Sequence, residues 1–300
     1  MRFDKAPHVQ ALKKRVDRFF NSETSVRTEV HDFIGFFIKN KINIFSFGGL
    51  VRDIGLFSVR DFESDVDLVV DIDRETLCYL INTLDKTLKL RVKENKFGGF
   101  RINKNDWYFD IWCAKDTWAI KENYVKYTGI ESLLKTTFLN WDSVLFNLND
   151  KKLICERNYF DNLTGGELDL VLSYTPNELG ALVRVMRAIY GKGVRKLHDR
   201  AVCFIYNGFC NYSKKEIMKY EKLSYNNSFL DERKLNNIKR HIMGCNLDDS
   251  NSKQLNIKLD VNVISLESND LFEKINNKLK KDGDNNHVSE TKQLWLDIFD

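Results

Sequence analysis

Residues 44–57, IFSFGGLVRDIGLF, and residues 64–70, SDVDLVV, decide how this chain is read. INIFSF (42–47) is a short β-rich run that stops at Gly48-Gly49, and LVRDIGLF after it predicts a short helix. Glycines at a strand-to-helix turn let the backbone approach a phosphate, and a helix N-terminus offers unpaired N–H groups and a positive dipole end. A tight turn with no ligand fits the same residues. Arg52 lies one turn into the helix and can reach back to phosphate oxygens, while Asp53 suits the orientation of a neighbouring arginine. In SDVDLVV, side chains two apart point the same way, so Asp65 and Asp67 share one face, with Val66, Leu68 and Val70 on the other. Two carboxylates about 7 Å apart on one strand repel unless a cation stands between them. Hard oxygen donors of this kind suit Mg²⁺ or Mn²⁺. A solvated strand face would carry the same pattern.

Working outward, RETLCYLINTLDKTL (74–88) is an amphipathic helix and LKLRVKE (88–94) a strand. FGGFRI and WYFDIWC are joined by the polar turn NKND into a hairpin. In WYFDIWC, Trp107, Phe109 and Ile111 belong to the core, so Tyr108, Asp110 and Trp112 face the other way. If this strand neighbours the DxD strand, three carboxylates converge on one open sheet face. The order β-α-β-α-β-β-β over 42–113 predicts an α+β fold: a small mixed sheet with helices on one face. Before it, LKKRVDRFF and EVHDFIGFFIKN carry apolar residues at helical spacing across about 8–40. Beyond about residue 115 the strand signal fades, and a mostly helical C-terminal part is expected. Its clearest helix follows Thr175-Pro176-Asn177-Glu178, a capping box with Thr175 as cap, and bears the stripe Leu179, Leu182, Val183, Met186, Ile189. From about 246 onward Asn, Asp, Lys and Ser dominate.

Composition bounds the rest. The 300 residues are 43% hydrophobic and 30% charged, which suits one large or two modest packed domains. Forty-seven basic residues nearly balance 43 acidic ones, so a polyanionic partner is permitted but not demanded. No apolar run approaches the ~20 residues of a membrane span, and the N-terminus has no apolar signal core. Six scattered cysteines without a CxxC pair are expected in a reducing cytoplasm. There is no GxxxxGK[ST], GxGxxG, HExxH or GxSxG.

GGLVRDIGLF followed by SDVDLVV resembles the GGxVRDxLLG…DxD head motif of class II CCA-adding enzymes and bacterial poly(A) polymerases, members of the polymerase-β-like nucleotidyltransferase superfamily. FGGFRI…WYFDIW resembles the segment carrying that family's third acidic residue. NLTGGELDL and ELGALVRVMRAIY resemble its next stretch and its base-reading helix. The resemblance spans about residues 42–195. It implies that Asp65, Asp67 and Asp110 hold Mg²⁺ or Mn²⁺ and carry catalysis, that Gly48, Gly49 and Arg52 bind the triphosphate, and that Arg184 and Arg187 read the nucleotide. It also implies a catalytic head (41–145) and a neck-like nucleotide-recognition region (146–245), to which the chain adds a helical N-terminal segment (1–40) and, by its composition, a polar helical segment (246–300). Two departures stand out. Where the family carries Arg-Arg-Asp, this chain has FLNWDSVLFNL without an arginine, and Gly180-Ala181 replace the Glu-Asp of the base-reading helix.

The implied activity is metal-dependent, template-independent transfer of NMP or dNMP from a nucleoside triphosphate to a hydroxyl acceptor, releasing pyrophosphate. The acceptor is a nucleic-acid 3′ end or a growing oligonucleotide. The departures favour a specialised member making an antiviral or signalling oligonucleotide. The alternatives are CCA addition or poly(A)-type extension of an RNA 3′ end, and a non-catalytic nucleotide- or RNA-binding relative. A protein effector or a homo-oligomer is left open.

Overall fold

The computed structural model describes residues 3–22, 27–57, 59, 65–88, 90–225 and 227–243. The expected polar helices of 246–300 lie outside the described residues. The chain forms two compact units, divided between Thr164 and Gly165.

The first unit opens with helices α1 (Val9–Phe20) and α2 (Thr28–Lys39). There follow β1 (Ile44–Phe47), α3 (Gly49–Phe57), β2 (Val66–Val70), α4 (Arg74–Leu88), β3 (Arg91–Glu94), β4 (Phe100–Lys104) and β5 (Trp107–Cys113). This is the β-α-β-α-β-β-β order read from the sequence. After a short helix α5 (Trp118–Lys121) come two strands that were not expected, β6 (Val144–Asn147) and β7 (Lys152–Cys155), and then α6 (Tyr159–Gly165). The fading strand signal beyond residue 115 was therefore misleading. VLFN and KLIC are only four residues each, too short for alternation to register.

The seven strands form one sheet in the order β3-β4-β5-β2-β1-β6-β7. β2 and β5 run parallel, and the remaining neighbours are antiparallel. The expected α+β class with a small mixed sheet holds. One sheet face is covered by the N-terminal helices: the Phe33 ring of α2 stacks on Phe109 of β5 at 4.2 Å, and Phe19 of α1 meets Trp107 edge-on at 5.8 Å. These helices are part of the unit's core, with Leu12, Val16, Phe19, Val30, Phe33 and Phe37 fully buried. At one end of the opposite face, Phe45, Val69 and Leu145 are capped by Ala114, Leu133 and Leu134 from the segment after β5. The other end of that face carries polar side chains.

The second unit contains β8 (Glu167–Leu168), α7 (Glu178–Gly191), β9 (Lys196–Leu197), α8 (Asp199–Asn211), α9 (Lys214–Tyr225) and α10 (Glu232–Met243). Helix α7 does not start as expected. Asn177, not Thr175, is its N-cap: the Asn177 side chain accepts from the Gly180 amide at 2.8 Å, while Thr175 Oγ1 accepts from the Asn177 amide at 3.3 Å. Asn caps as well as Thr does, and a threonine two residues ahead of a good cap serves to turn the chain into it. Among the described residues, no helix is long and apolar enough to cross a membrane.

Candidate active site

β1 ends at Phe47, and Gly48 then takes φ +69°, a left-handed conformation that glycine adopts without steric cost. The Gly48 amide donates to Val144 O of β6 at 3.0 Å, which ties the turn to the sheet. Gly49 opens α3, whose first-turn amides have no partner within the helix. Arg52 folds back under this turn, its Nη2 lying 3.3 Å from where a Gly49 Cβ would stand. The Arg52 guanidinium is buried. It donates from Nε to Asp53 Oδ1 (2.8 Å) and from Nη2 to Asp53 Oδ2 (2.9 Å), and Nη1 pairs with Asp142. Burial opposes its charge, but Asp142 and Asp53 more than offset this and raise its pKa. Asp53 thus orients an arginine, as the sequence suggested. Asp142 comes from the FLNWDSVLFNL segment and was missed, because only the pairing of β6 with β1 brings that segment to the turn.

The carboxylates stand beside this turn. β2 and β5 pair in a register that sets Asp67 opposite Asp110. β1 pairs Ser46 with Leu68, so one further step brings Phe47, the residue before the glycines, level with Asp67. Asp65 precedes β2 and is buried, as is Asp110. Burial pushes the Asp67 carboxyl well above the carboxylate range, and Asp110 and Asp65 push it further. Burial likewise lifts Asp110 to about 7 and raises Asp65, with Arg101 partly opposing both. Asp67 Oδ1 and both Asp110 carboxylate oxygens are buried without a hydrogen-bond partner among the described residues.

Arg101 is the residue beside the carboxylates that sequence reading passed over. It pairs with Asp110 in the β4–β5 register, forms an ion pair with Asp65, and brings Nη1 to 3.7 Å from Asp110 Oδ2. Its signal lay in the hairpin. A two-residue turn at Asn105–Asp106 fixes Lys104 against Trp107, and counting back from there sets Arg101 against Asp110. The two strands adjoin as expected, so that Asp65, Asp67 and Asp110 act on one another, with Arg101 set among them. Among the described residues no group of three carboxylate, imidazole or thiol side chains is arranged to hold a metal ion. Asp65 is engaged by Arg101, which leaves Asp67 and Asp110 as the facing pair. Orphaned, buried, oxygen-only donors on two adjoining strands fit a hard divalent cation. Asp67 and Asp110 would hold it, and Asp65 could join once Arg101 withdrew.

In the second unit the two α7 arginines differ. Arg187 is taken up internally: it pairs with the fully buried Glu221, donates to Asn227 Oδ1 at 2.9 Å and lies over the Tyr225 ring at 4.2 Å. Arg184 is half-buried, and its Nε is enclosed without a partner among the described residues.

A solved complex of a CCA-adding enzyme with ATP superposes on 80% of this chain and 55% of its own, at 16% identity and a TM-score of 0.50. The chain shares the fold of part of that CCA-adding enzyme. An apo CCA-adding enzyme gives 80% and 54% coverage at 15% identity and a TM-score of 0.49. A tRNA nucleotidyltransferase complexed with primer tRNA and an incoming ATP analog gives 67% and 57%, at 15% and 0.48. The chain spans about half the length of these three structures. No family model and no curated protein matches the sequence.

Proposed function

We propose that the protein is a nucleotidyltransferase that moves a nucleoside monophosphate from a triphosphate to a hydroxyl acceptor and releases pyrophosphate. The observation that carries this is the facing pair Asp67–Asp110, with three orphaned buried carboxylate oxygens, beside the glycine turn at the start of α3. The first-turn amides of α3 bind oxygens of the triphosphate, and the absence of side chains at Gly48 and Gly49 lets those oxygens come close. Arg52, ion-paired to Asp53 and Asp142, props the turn from beneath and does not itself meet the phosphates. Asp67 and Asp110, joined by Asp65, hold the divalent cation. When bound, Mg²⁺ or Mn²⁺ supplies Lewis acidity at the α-phosphoryl group and lowers the pKa of the attacking hydroxyl. Of the α7 arginines we assign the nucleotide contact to Arg184, since Arg187 is committed to Glu221.

The acceptor is a nucleic-acid 3′ end or a growing oligonucleotide. A specialised product, of the antiviral or signalling kind, is favoured by two departures in α7: Gly180-Ala181 leave no carboxylate beside Arg184, and Arg187 is withdrawn into its own unit. CCA or poly(A) addition is the second reading, favoured by the fold shared with a CCA-adding enzyme solved with ATP.

The test is incubation with Mg²⁺ or Mn²⁺ and all eight ribo- and deoxynucleoside triphosphates, with and without RNA, followed by mass analysis of the products. Incorporation by the parent is expected. Asp67→Ala is expected to lose at least about 10²-fold in rate, in line with the loss of a preorganised charge-stabilising group. A purified, folded Asp67→Ala protein that incorporates nucleotide at the parent rate sinks the assignment.

A further inference from the structure

We propose that Arg101 is a built-in counter-cation of the acidic site, which holds Asp65 and Asp110 in the metal-free protein and exchanges them for triphosphate oxygens when the divalent ion binds. This rests on the metal-dependent reading above and names how that site is regulated.

The side chain is fixed where such an exchange needs it. Arg101 sits on β4 directly opposite Asp110, forms an ion pair with Asp65, and carries its guanidinium 5.3 Å from the ring of Tyr108, the residue two before Asp110 on the same face of β5. One guanidinium faces three carboxylates, so compensation is incomplete: Asp67 Oδ1 and both Asp110 oxygens have no hydrogen-bond partner among the described residues. A divalent ion seated between Asp67 and Asp110 neutralises them more fully. It then lies close to Arg101, and two like charges in one half-buried site repel. Asp65 becomes available to the ion only when Arg101 lets go. The released guanidinium remains tethered opposite Asp110, and its planar fork matches phosphate oxygens as well as it matches carboxylates.

Two consequences follow from mass action. The ion alone binds weakly, because its apparent affinity is reduced by the fraction of molecules in which Arg101 has withdrawn. The triphosphate strengthens ion binding by giving Arg101 a new partner, so the two ligands bind cooperatively.

Mn²⁺ titration by calorimetry or electron paramagnetic resonance tests this at pH 8, with and without a non-reactive α,β-methylene triphosphate. Folding of each variant is checked by circular dichroism. Without the analogue, Arg101→Gln is expected to bind Mn²⁺ about tenfold more tightly than the parent, the gain from a latch closed roughly nine times in ten. With the analogue, the parent gains affinity and Arg101→Gln gains far less. Equal Mn²⁺ affinities without the analogue overturn the proposal. So does an analogue that strengthens both proteins by the same factor, the result of a general field effect. If Arg101→Gln fails to fold, Arg101→Lys serves instead: it keeps the charge but loses the fork, and must bind Mn²⁺ more tightly than the parent. Mn²⁺ that binds neither parent nor variant, even with the analogue, overturns the metal site itself, whereas parent binding with no Arg101 dependence overturns only the latch.

Discussion

The chemistry of Asp110 is set by its surroundings. In the folded protein it keeps its proton up to about pH 7, whereas in an unfolded chain it loses it near 4. Between those values the folded state binds more protons, so the metal-free protein loses stability as pH rises from about 4 to about 7, and above that the loss is complete. Asp110→Asn removes the titration. In EDTA its urea midpoint should exceed the parent's at pH 8, and the two should converge near pH 4. Parallel curves across that range would contradict the burial argument. The alternation in SDVDLVV and WYFDIWC sets Asp67 and Asp110 each on the polar face of its own strand without any structure. The partner of Asp65 is a different matter: Arg101 is chosen by a register between strands, which depends on where the hairpin turns.

Two elements carry sharp expectations. The strand–turn–helix unit at 44–57 depends on Gly48 at φ +69°. Gly48→Ala forces an L-residue into the left-handed region and should cost about 1–2 kcal/mol, read as a lowered denaturation midpoint, with triphosphate binding weakened alongside. An alanine variant as stable as the parent would show that the turn relaxes to another conformation. Helix α7 supplies the second. Asn177→Ala should cost about 1 kcal/mol through loss of the cap bond to Gly180, while Thr175→Ala costs a few tenths at most. The reverse ranking in thermal melts would restore the capping box that the sequence suggested. The existence of both elements was legible. The boundary of α7 was not, because Thr175, Asn177 and the intervening proline offer competing caps whose choice depends on how the preceding chain arrives.

At the scale of the whole molecule, the N-terminal helices decide whether the seven-stranded sheet is stable. Phe33 is fully buried and stacked on Phe109, the strand residue immediately before Asp110. Phe33→Ala should destabilise the first unit by about 3–5 kcal/mol, seen in denaturant unfolding, and lower activity in proportion to the folded fraction. A small loss of stability with a large loss of activity would instead mean that the helices tune the site directly. By itself, the sequence determined the β-α-β-α-β-β-β order, the glycine turn, and the faces on which the carboxylates stand, because each depends on periodicity and residue type within a few positions of the chain. Only the tertiary structure decided that β2 and β5 lie side by side in parallel, that β6 and β7 complete the sheet, that Asp142 braces Arg52, and that Arg101 occupies Asp65. These depend on pairing between segments from 36 residues apart (Asp65 and Arg101) to 102 (Phe45 and Asn147), and long-range pairing leaves no local signature in the order of residues.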